Sequence, residues 1–147
     1  MPDDPITLAR DVAARLITSL HEGVFRATRG ALFGEILGMP AVMVTVTGAR
    51  SGKPRTVVLT TPVSDDTRVL LVASNGGSDR HPSWFHNLRA NPEVSVMREG
   101  RTEAMRAHVV PDAERPELWA EVVRRYPGYA AYQQKTARPI PLVWLYV

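Results

Sequence analysis

Hydrophobic residues change their spacing near residue 40, and the change divides the chain into two kinds of segment. Before it, Ile6, Ala9, Val12, Ala13, Leu16, Ile17, Leu20 and Val24 recur every three or four positions. Arg10, Asp11, Arg15, Ser19, Glu22 and Arg26 take the opposite side, so residues 5–29 predict an amphipathic helix. Gly30, Gly34, Gly38 and then Pro40 loosen and end it. Two placements for this helix stay open. It packs on the body of its own domain, or it lies against a membrane surface or over the active site.

From Ala41 the period becomes two. Val42, Val44 and Val46 alternate with Met43, Thr45 and Thr47, as in a half-buried strand. A polar loop, Gly48–Arg55, precedes a second strand at Thr56–Val63. Ser64–Thr67 predicts a hairpin turn into a third strand, Arg68–Ala73. Ser74–Ser83 is too rich in glycine and proline for regular structure, Trp84–Ala90 reads as a short helix, and Asn91–Pro92 stops it. Glu93–Arg98 and Thr102–Val110 form a second hairpin around Glu99–Gly100. Asp112 fits the N-cap of a helix that carries Leu118, Trp119, Val122, Val123 and Tyr126 on one face. Pro127–Gly128 break that helix, a helical piece follows at Tyr129–Lys135, and Leu142–Val147 is a last strand. Strands in runs, with helices between them but no βαβ alternation, predict the α+β class. About six mostly antiparallel strands suit a small barrel, because closure leaves no exposed edge. The whole chain, 1–147, reads as one domain, with a helical segment at 1–38 and the barrel at 41–147.

Composition narrows this picture only a little. One core of ordinary size fits 147 residues. No apolar run reaches the roughly 18–20 residues of a membrane span, and the N-terminus lacks a signal-peptide pattern. With no cysteine there are no disulfides and no thiolate chemistry. A cytoplasmic protein is the expectation, with membrane association left to the N-terminal helix. The net charge of +3, from 18 basic and 15 acidic residues, is too modest to name a partner.

Where the cations sit says more. Gly48–Arg55 places Arg50, Lys53 and Arg55 around Ser51 and Gly52, between two strands. Guanidinium forks, an ammonium, a hydroxyl and close backbone approach suit a phosphate. A solvated basic turn accounts for the same residues. Ser74, Asn75, Gly76 and Gly77 end a strand with a hydroxyl, an amide and two flexible glycines, which can aim backbone N–H groups at an anion or merely permit a turn. Trp84 and Phe85 read as core anchors or cofactor walls. Tyr126, Tyr129 and Tyr132 fall on one side of a helical segment, with Pro127 interrupting it. Their phenols could stack on a planar ring and donate a proton, or form a half-buried aromatic face. His81 and His86 are five apart, not the spacing of two ligands on one helix face, so no metal is expected. The basic loops lack interleaved aromatics and a basic helix, so nucleic acid is not expected either.

In this order and spacing the residues resemble the deazaflavin-dependent nitroreductases of actinobacteria. The resemblance runs from about Val44 to Leu145. It rests on Thr47–Gly48, Ser51-Gly52-x-Pro54-Arg55, Ala73-Ser74-x-Gly76-Gly77, Pro82-x-Trp84 and Asn87-Leu88-x-Ala90-Asn91-Pro92. Tyr126-Pro127-x-Tyr129-x-x-Tyr132-Gln133 and Arg138-x-Ile140-Pro141 complete it. It implies a split β-barrel and an oxidoreductase that binds coenzyme F420 (8-hydroxy-5-deazaflavin). Hydride would pass from the reduced cofactor to a quinone, an activated enone or a nitroaromatic as the small-molecule acceptor. By the same resemblance, the cofactor's phosphate and acidic tail lie at the Arg50–Arg55 loop and near Ser74–Gly77, with Trp84 and Asn87 in the cofactor wall. The three tyrosines would line the acceptor side, Tyr126 or an equivalent water supplying a proton. A homodimer would be ordinary for this fold. Two positions depart from the family pattern: Thr60 stands where nitroreducing members carry a tyrosine, and Asn75 where a lysine often follows the serine. A non-catalytic binder of F420 or an apolar ligand, and a flavin mononucleotide enzyme on the same barrel, are the alternatives.

Overall fold

The computed structural model describes residues 35–36 and 39–147. The helix expected over residues 5–29, and with it the membrane contact, lies outside the described residues. Among the described residues there are seven strands: β1 (Glu35–Ile36), β2 (Met39–Thr47), β3 (Pro54–Thr60), β4 (Arg68–Val72), β5 (Glu93–Arg98), β6 (Arg101–Val109) and β7 (Leu142–Tyr146). Three helices join them: α1 (Ser83–Ala90), α2 (Arg115–Arg125) and α3 (Gly128–Gln134), with one 3-10 turn at Asn75–Gly77.

All pairings are antiparallel, in the order β3–β2–β5–β6–β7–β4, and β1 pairs with the start of β2. Alternation explains which face each strand buries. Val42, Val44 and Val46 of β2, Val69 and Leu71 of β4, and Val143 and Leu145 of β7 share one core. Val57 and Leu59 of β3 pack against that same core. The sheet's two end strands therefore face each other across one hydrophobic interior, although no ladder joins them among the described residues. The sheet is a curled half-barrel, open between β3 and β4. Trp84, Phe85 and Leu88 of α1 fill the interior from one side. A second core lies outside the barrel, where Leu70 and Val72 of β4 and Leu142 of β7 meet Val122 of α2 and Tyr129 of α3.

The opening corrects the predicted hairpin at Ser64–Thr67. A turn does form. The Asp65 carboxylate accepts the backbone N–H groups of Thr67 at 2.9 Å and Arg68 at 3.1 Å. Only Ser64 and Val69 then bridge, because β3 pairs with β2 and β4 with β7. The Thr61 N–H still bonds to Pro40 of β2, and Pro62 has no N–H to continue a ladder. Arg98, 8% exposed at the end of β5, pins the corner by donating to the carbonyls of Asp65 and Asp66. The N-cap expected at Asp112 is also corrected. Helix α2 begins at Arg115, after a backbone turn in which the N–H groups of Glu114 and Arg115 both bond to the Pro111 carbonyl. Pro116, inside the first turn, has no N–H needing a cap.

Candidate active site

A cleft of about 830 Å³ occupies the opening between β3 and β4. Its walls are Val57–Thr60 on β3, Ser74–Gly76 after β4, Pro82 and Trp84 at the start of α1, and Tyr126–Tyr129 with Tyr132 at the α2–α3 junction. A narrower space of about 280 Å³ shares Val57 and Trp84 with it and continues past Thr56, Ser83 and Asn87 to Arg55. Arg55, Ser83 and Asn87 in turn border a third hollow of about 530 Å³, lined also by Arg50, Ser51 and His86. The three spaces adjoin in sequence, each sharing lining residues with the next, and together form a groove-like series from the tyrosines to the cationic loop. Among the described residues no aspartate or glutamate lines any part of it.

The cationic end is built by a tight loop. The Gly48 N–H bonds to the Lys53 carbonyl at 2.8 Å and the Gly52 N–H to the Gly48 carbonyl at 2.9 Å. A side chain at Gly48 would meet the Ser51 hydroxyl at 2.5 Å, and Gly52 sits at φ +69, so both positions favour glycine. The Asn87 side-chain carbonyl accepts the Ala49 N–H at 2.9 Å, which ties the loop to α1. Arg50, Lys53 and Arg55 are exposed and make no ion pair with a described residue. Lys53 does not line the hollow, so Arg50 and Arg55 are the cations that face it.

At the aromatic end the chain breaks where Pro127 and Gly128 predict. Tyr126 caps α2 with non-helical angles, and α3 restarts at Gly128. Tyr129 and Tyr132 meet edge to face at 6.1 Å. Tyr129 is buried, and its hydroxyl shares a hydrogen bond of 3.1 Å with Thr60 across the cleft. It also reaches the Met39 sulfur at 3.5 Å. Burial pushes the Tyr129 phenol above its ordinary pKa, against the opposing pull of the Thr60 hydrogen bond. Tyr126 and Tyr132 are half-buried and face the same cleft.

Between the two ends, the Ser74–Gly77 turn presents Ser74, Asn75 and Gly76 to the cleft. Gly77 does not line it. A side chain there would meet the Tyr132 carbonyl at 2.8 Å, so this glycine lets α3 approach the turn. The Asn75 amide donates to the Arg80 carbonyl at 3.1 Å. Sequence reasoning named Arg138 only within a motif. In the structure its guanidinium donates to the carbonyls of Ala73, Ser74, Ser78 and Arg80. Val58, Met39 and Pro82 also line the cleft. Their burial depends on a strand edge left open by tertiary structure, which no local pattern signals.

A planar, partly apolar molecule with an anionic extension fits this groove. The tyrosines and Trp84 offer faces and edges to a ring system. Gly76, at φ +66 with nothing within 4 Å of where a side chain would start, lets backbone approach a ligand. Two guanidinium groups with no carboxylate beside them suit phosphate or carboxylate oxygens. Among the described residues no group of histidines and carboxylates could hold a metal, and no helix is long and apolar enough to cross a membrane.

Residues 18–146 match the family described as F420H2-dependent quinone reductase. An F420H2-dependent quinone reductase of Mycobacterium tuberculosis is 37% identical over 142 residues, covering 94% of each chain. Among solved structures, an F420-H2 dependent reductase, FDR-A, superposes with a TM-score of 0.64 at 42% identity, over 72% of this chain and 93% of that one. A second, a domain-swapped dimer, matches with a TM-score of 0.66 at 37% identity, over 97% of this chain and 99% of that one. The fold is thus that of F420-dependent reductases, and the chain belongs to the F420H2-dependent quinone reductase family of oxidoreductases, whose cofactor is coenzyme F420.

Proposed function

We propose that the groove binds reduced F420 with its ring system in the tyrosine-lined cleft and its phosphate and acidic tail at Arg50 and Arg55. The acceptor reduced there would be a quinone or a similarly activated enone or nitroaromatic. The observation that carries this reading is the polarity of these adjoining spaces, aromatic at one end and cationic at the other, with no carboxylate among the described residues that line them. The bound cofactor supplies a hydride, so the protein's task is to orient it, exclude water and stabilise charge on the acceptor.

Each residue follows from that division. Arg50 and Arg55 bind the anionic part, Ser51 adds a hydroxyl, and Asn87 holds the loop in register through Ala49. Ser74, Asn75 and Gly76 bring backbone and small polar groups to the middle of the groove, and Trp84 walls it from α1. Lys53 and Gly77 act from outside the lining, the one adding long-range positive potential and the other seating α3. Tyr129 is held by Thr60, which leaves Tyr126 and Tyr132 to face the acceptor. Tyr126 donates the proton that neutralises the reduced acceptor's oxygen, directly or through a water. The domain-swapped dimer among the solved relatives supports a homodimer for this chain too.

Fluorescence titration with F420, run in parallel with flavin mononucleotide, tests the reading. The expected result is roughly micromolar or tighter binding of F420 alone, followed by hydride transfer to a quinone. Preference for the flavin overturns the cofactor assignment. Tight F420 binding without turnover on quinones, enones or nitroaromatics makes the chain a carrier rather than a reductase.

A further inference from the structure

Arg138 lines none of the groove's three spaces, yet its guanidinium donors reach acceptors all along the segment Ala73–His81 that contains the Ser74–Gly77 turn. Its Nε–H donates to the Ser78 carbonyl at 2.8 Å. One terminal nitrogen donates to the carbonyls of Ser74 at 3.0 Å and Arg80 at 3.2 Å. The other lies 3.3 Å from the Ala73 carbonyl and 3.0 Å from Nδ1 of His81. A planar fork with fixed donors can gather these acceptors only if the loop wraps around it. Arg138 is itself held in place by Gln133, whose amide donates to the Arg138 carbonyl at 2.7 Å and whose oxygen accepts the Ile140 N–H at 2.9 Å. On its other side the same turn carries Ser74, Asn75 and Gly76 into the cleft.

The histidine contact adds a condition. Arg138 is a donor only, so the ring nitrogen it meets must present a lone pair, which His81 has at Nδ1 only when neutral. Protonating His81 places a donor against a donor and two cations 3.0 Å apart. The other charged and titratable groups around the ring are His86, at 5.6 Å between centroids, and Arg89, both on α1. In its own loop, Arg80 is exposed and Asp79 accepts from the Thr136 hydroxyl at 2.8 Å. Burial, then Arg138, then His86 and Arg89 hold the His81 pKa below the ordinary histidine value.

We propose that Arg138 is the positioning residue for the cofactor turn, fixing Ser74–Gly76 in the conformation that receives F420, and that it does so only while His81 is neutral. This rests on the groove being the F420 site. The sign follows from the lowered pKa: well above the ordinary histidine value His81 is neutral in folded and unfolded chain alike and the anchor is complete. As pH falls below that value the folded chain resists a proton that the unfolded chain accepts, and the anchored loop loses stability until His81 is charged.

The test uses the whole protein with F420 and with no ligand. Without ligand, R138K keeps the charge but loses the fork, and amide hydrogen exchange at Ser74–Ser78 should rise about tenfold or more over wild type while exchange in the β2–β5 core stays the same. With F420 at pH 8, R138K should bind about tenfold more weakly. H81N supplies an amide oxygen that accepts from Arg138 and does not titrate. Each protein's affinity is followed from pH 8 down to the lowest pH at which both proteins stay folded and is compared with its own value at pH 8, so titration of the ligand, common to both, cancels. Wild type should lose several-fold more affinity than H81N. Equal losses, or R138K exchange and affinity within twofold of wild type, overturn the proposal. Failure of wild type to bind F420 even at pH 8 instead sinks the groove assignment, while the exchange result still reports on Arg138 alone.

Discussion

Thr60 and Tyr129 show how one side-chain pair sets the shape of the cleft. Their hydroxyls meet at 3.1 Å and join the open edge of β3 to α3. Thr60→Val keeps the shape and leaves the buried phenol with only the Met39 sulfur, a weak acceptor, so stability should fall by about 1 kcal/mol in urea unfolding. An unchanged midpoint would remove the pair from any structural role. Arg55 stands at the neck of the groove, where two of its spaces meet. Arg55→Ala should weaken F420 by about 1.5–3 kcal/mol, the value of a charged hydrogen bond, with little change in melting temperature. Unaltered affinity would place the anionic tail elsewhere. Tyr126→Phe should spare cofactor affinity and lower turnover, and equal turnover on several acceptors would leave proton donation to water or Tyr132. That Arg50, Ser51, Arg55 and the tyrosines line the groove was legible from sequence, because each advertises its chemistry by residue type and near neighbours. The bracing contacts of Asn87, which the resemblance had placed in the cofactor wall, and of Arg138 were not, since they reach loops 38 and 64 residues away along the chain. Such partners are fixed by the fold and leave no local trace.

At the scale of elements, the two glycines of the Asn75–Gly77 turn separate backbone strain from crowding. Both have positive φ, +66 at Gly76 and +85 at Gly77. A side chain at Gly76 meets open space, whereas at Gly77 it strikes the Tyr132 backbone of α3 at 2.8 Å. Gly76→Ala should therefore cost about 1 kcal/mol, the strain of the left-handed conformation alone. Gly77→Ala should cost more, because α3 must also move, and thermal unfolding of the two variants compares them directly. Equal losses would mean that α3 yields freely. The strands were readable from alternation nearly to their ends, and Glu93–Arg98 appears as predicted. The β3–β4 hairpin failed because turn chemistry is local and pairing is not. Asp65 makes the turn, while Pro62 and Arg98 decide that the strands beyond it separate. The one polar side chain in that decision that could be tested is Arg98. Arg98→Met would leave the Asp65 and Asp66 carbonyls without their charged donor, and a loss of about 3 kcal/mol is expected.

Across the whole molecule, leaving the barrel open between β3 and β4 creates the groove, and the placement of charge gives it direction. Glu93 pairs with Arg106 and Glu121 with Arg124 and Arg125 at the surface, and none of these lines the groove. Arg50 and Arg55 make no ion pair with a described residue, and Lys53 is close by in the sequence. At about 0.1 M salt the screening length is about 10 Å, and it shortens to about 3 Å at 1 M. These exposed cations should thus attract a phosphate and carboxylate tail strongly in dilute buffer and weakly in concentrated salt. Among the described residues the tyrosine end has no charged side chain in its lining, and it should hold a neutral quinone by contact area, which salt does not weaken. Raising the salt from about 0.05 to 0.5 M should therefore increase the Kd for F420 several-fold while the quinone KM, measured at saturating F420, stays within about twofold. If both constants rose together, cofactor and acceptor would share the cationic end, and the aromatic cleft would not be where reduction occurs. If neither rose, the tail would not use Arg50 and Arg55, and the groove's polarity would have no part in orienting the cofactor.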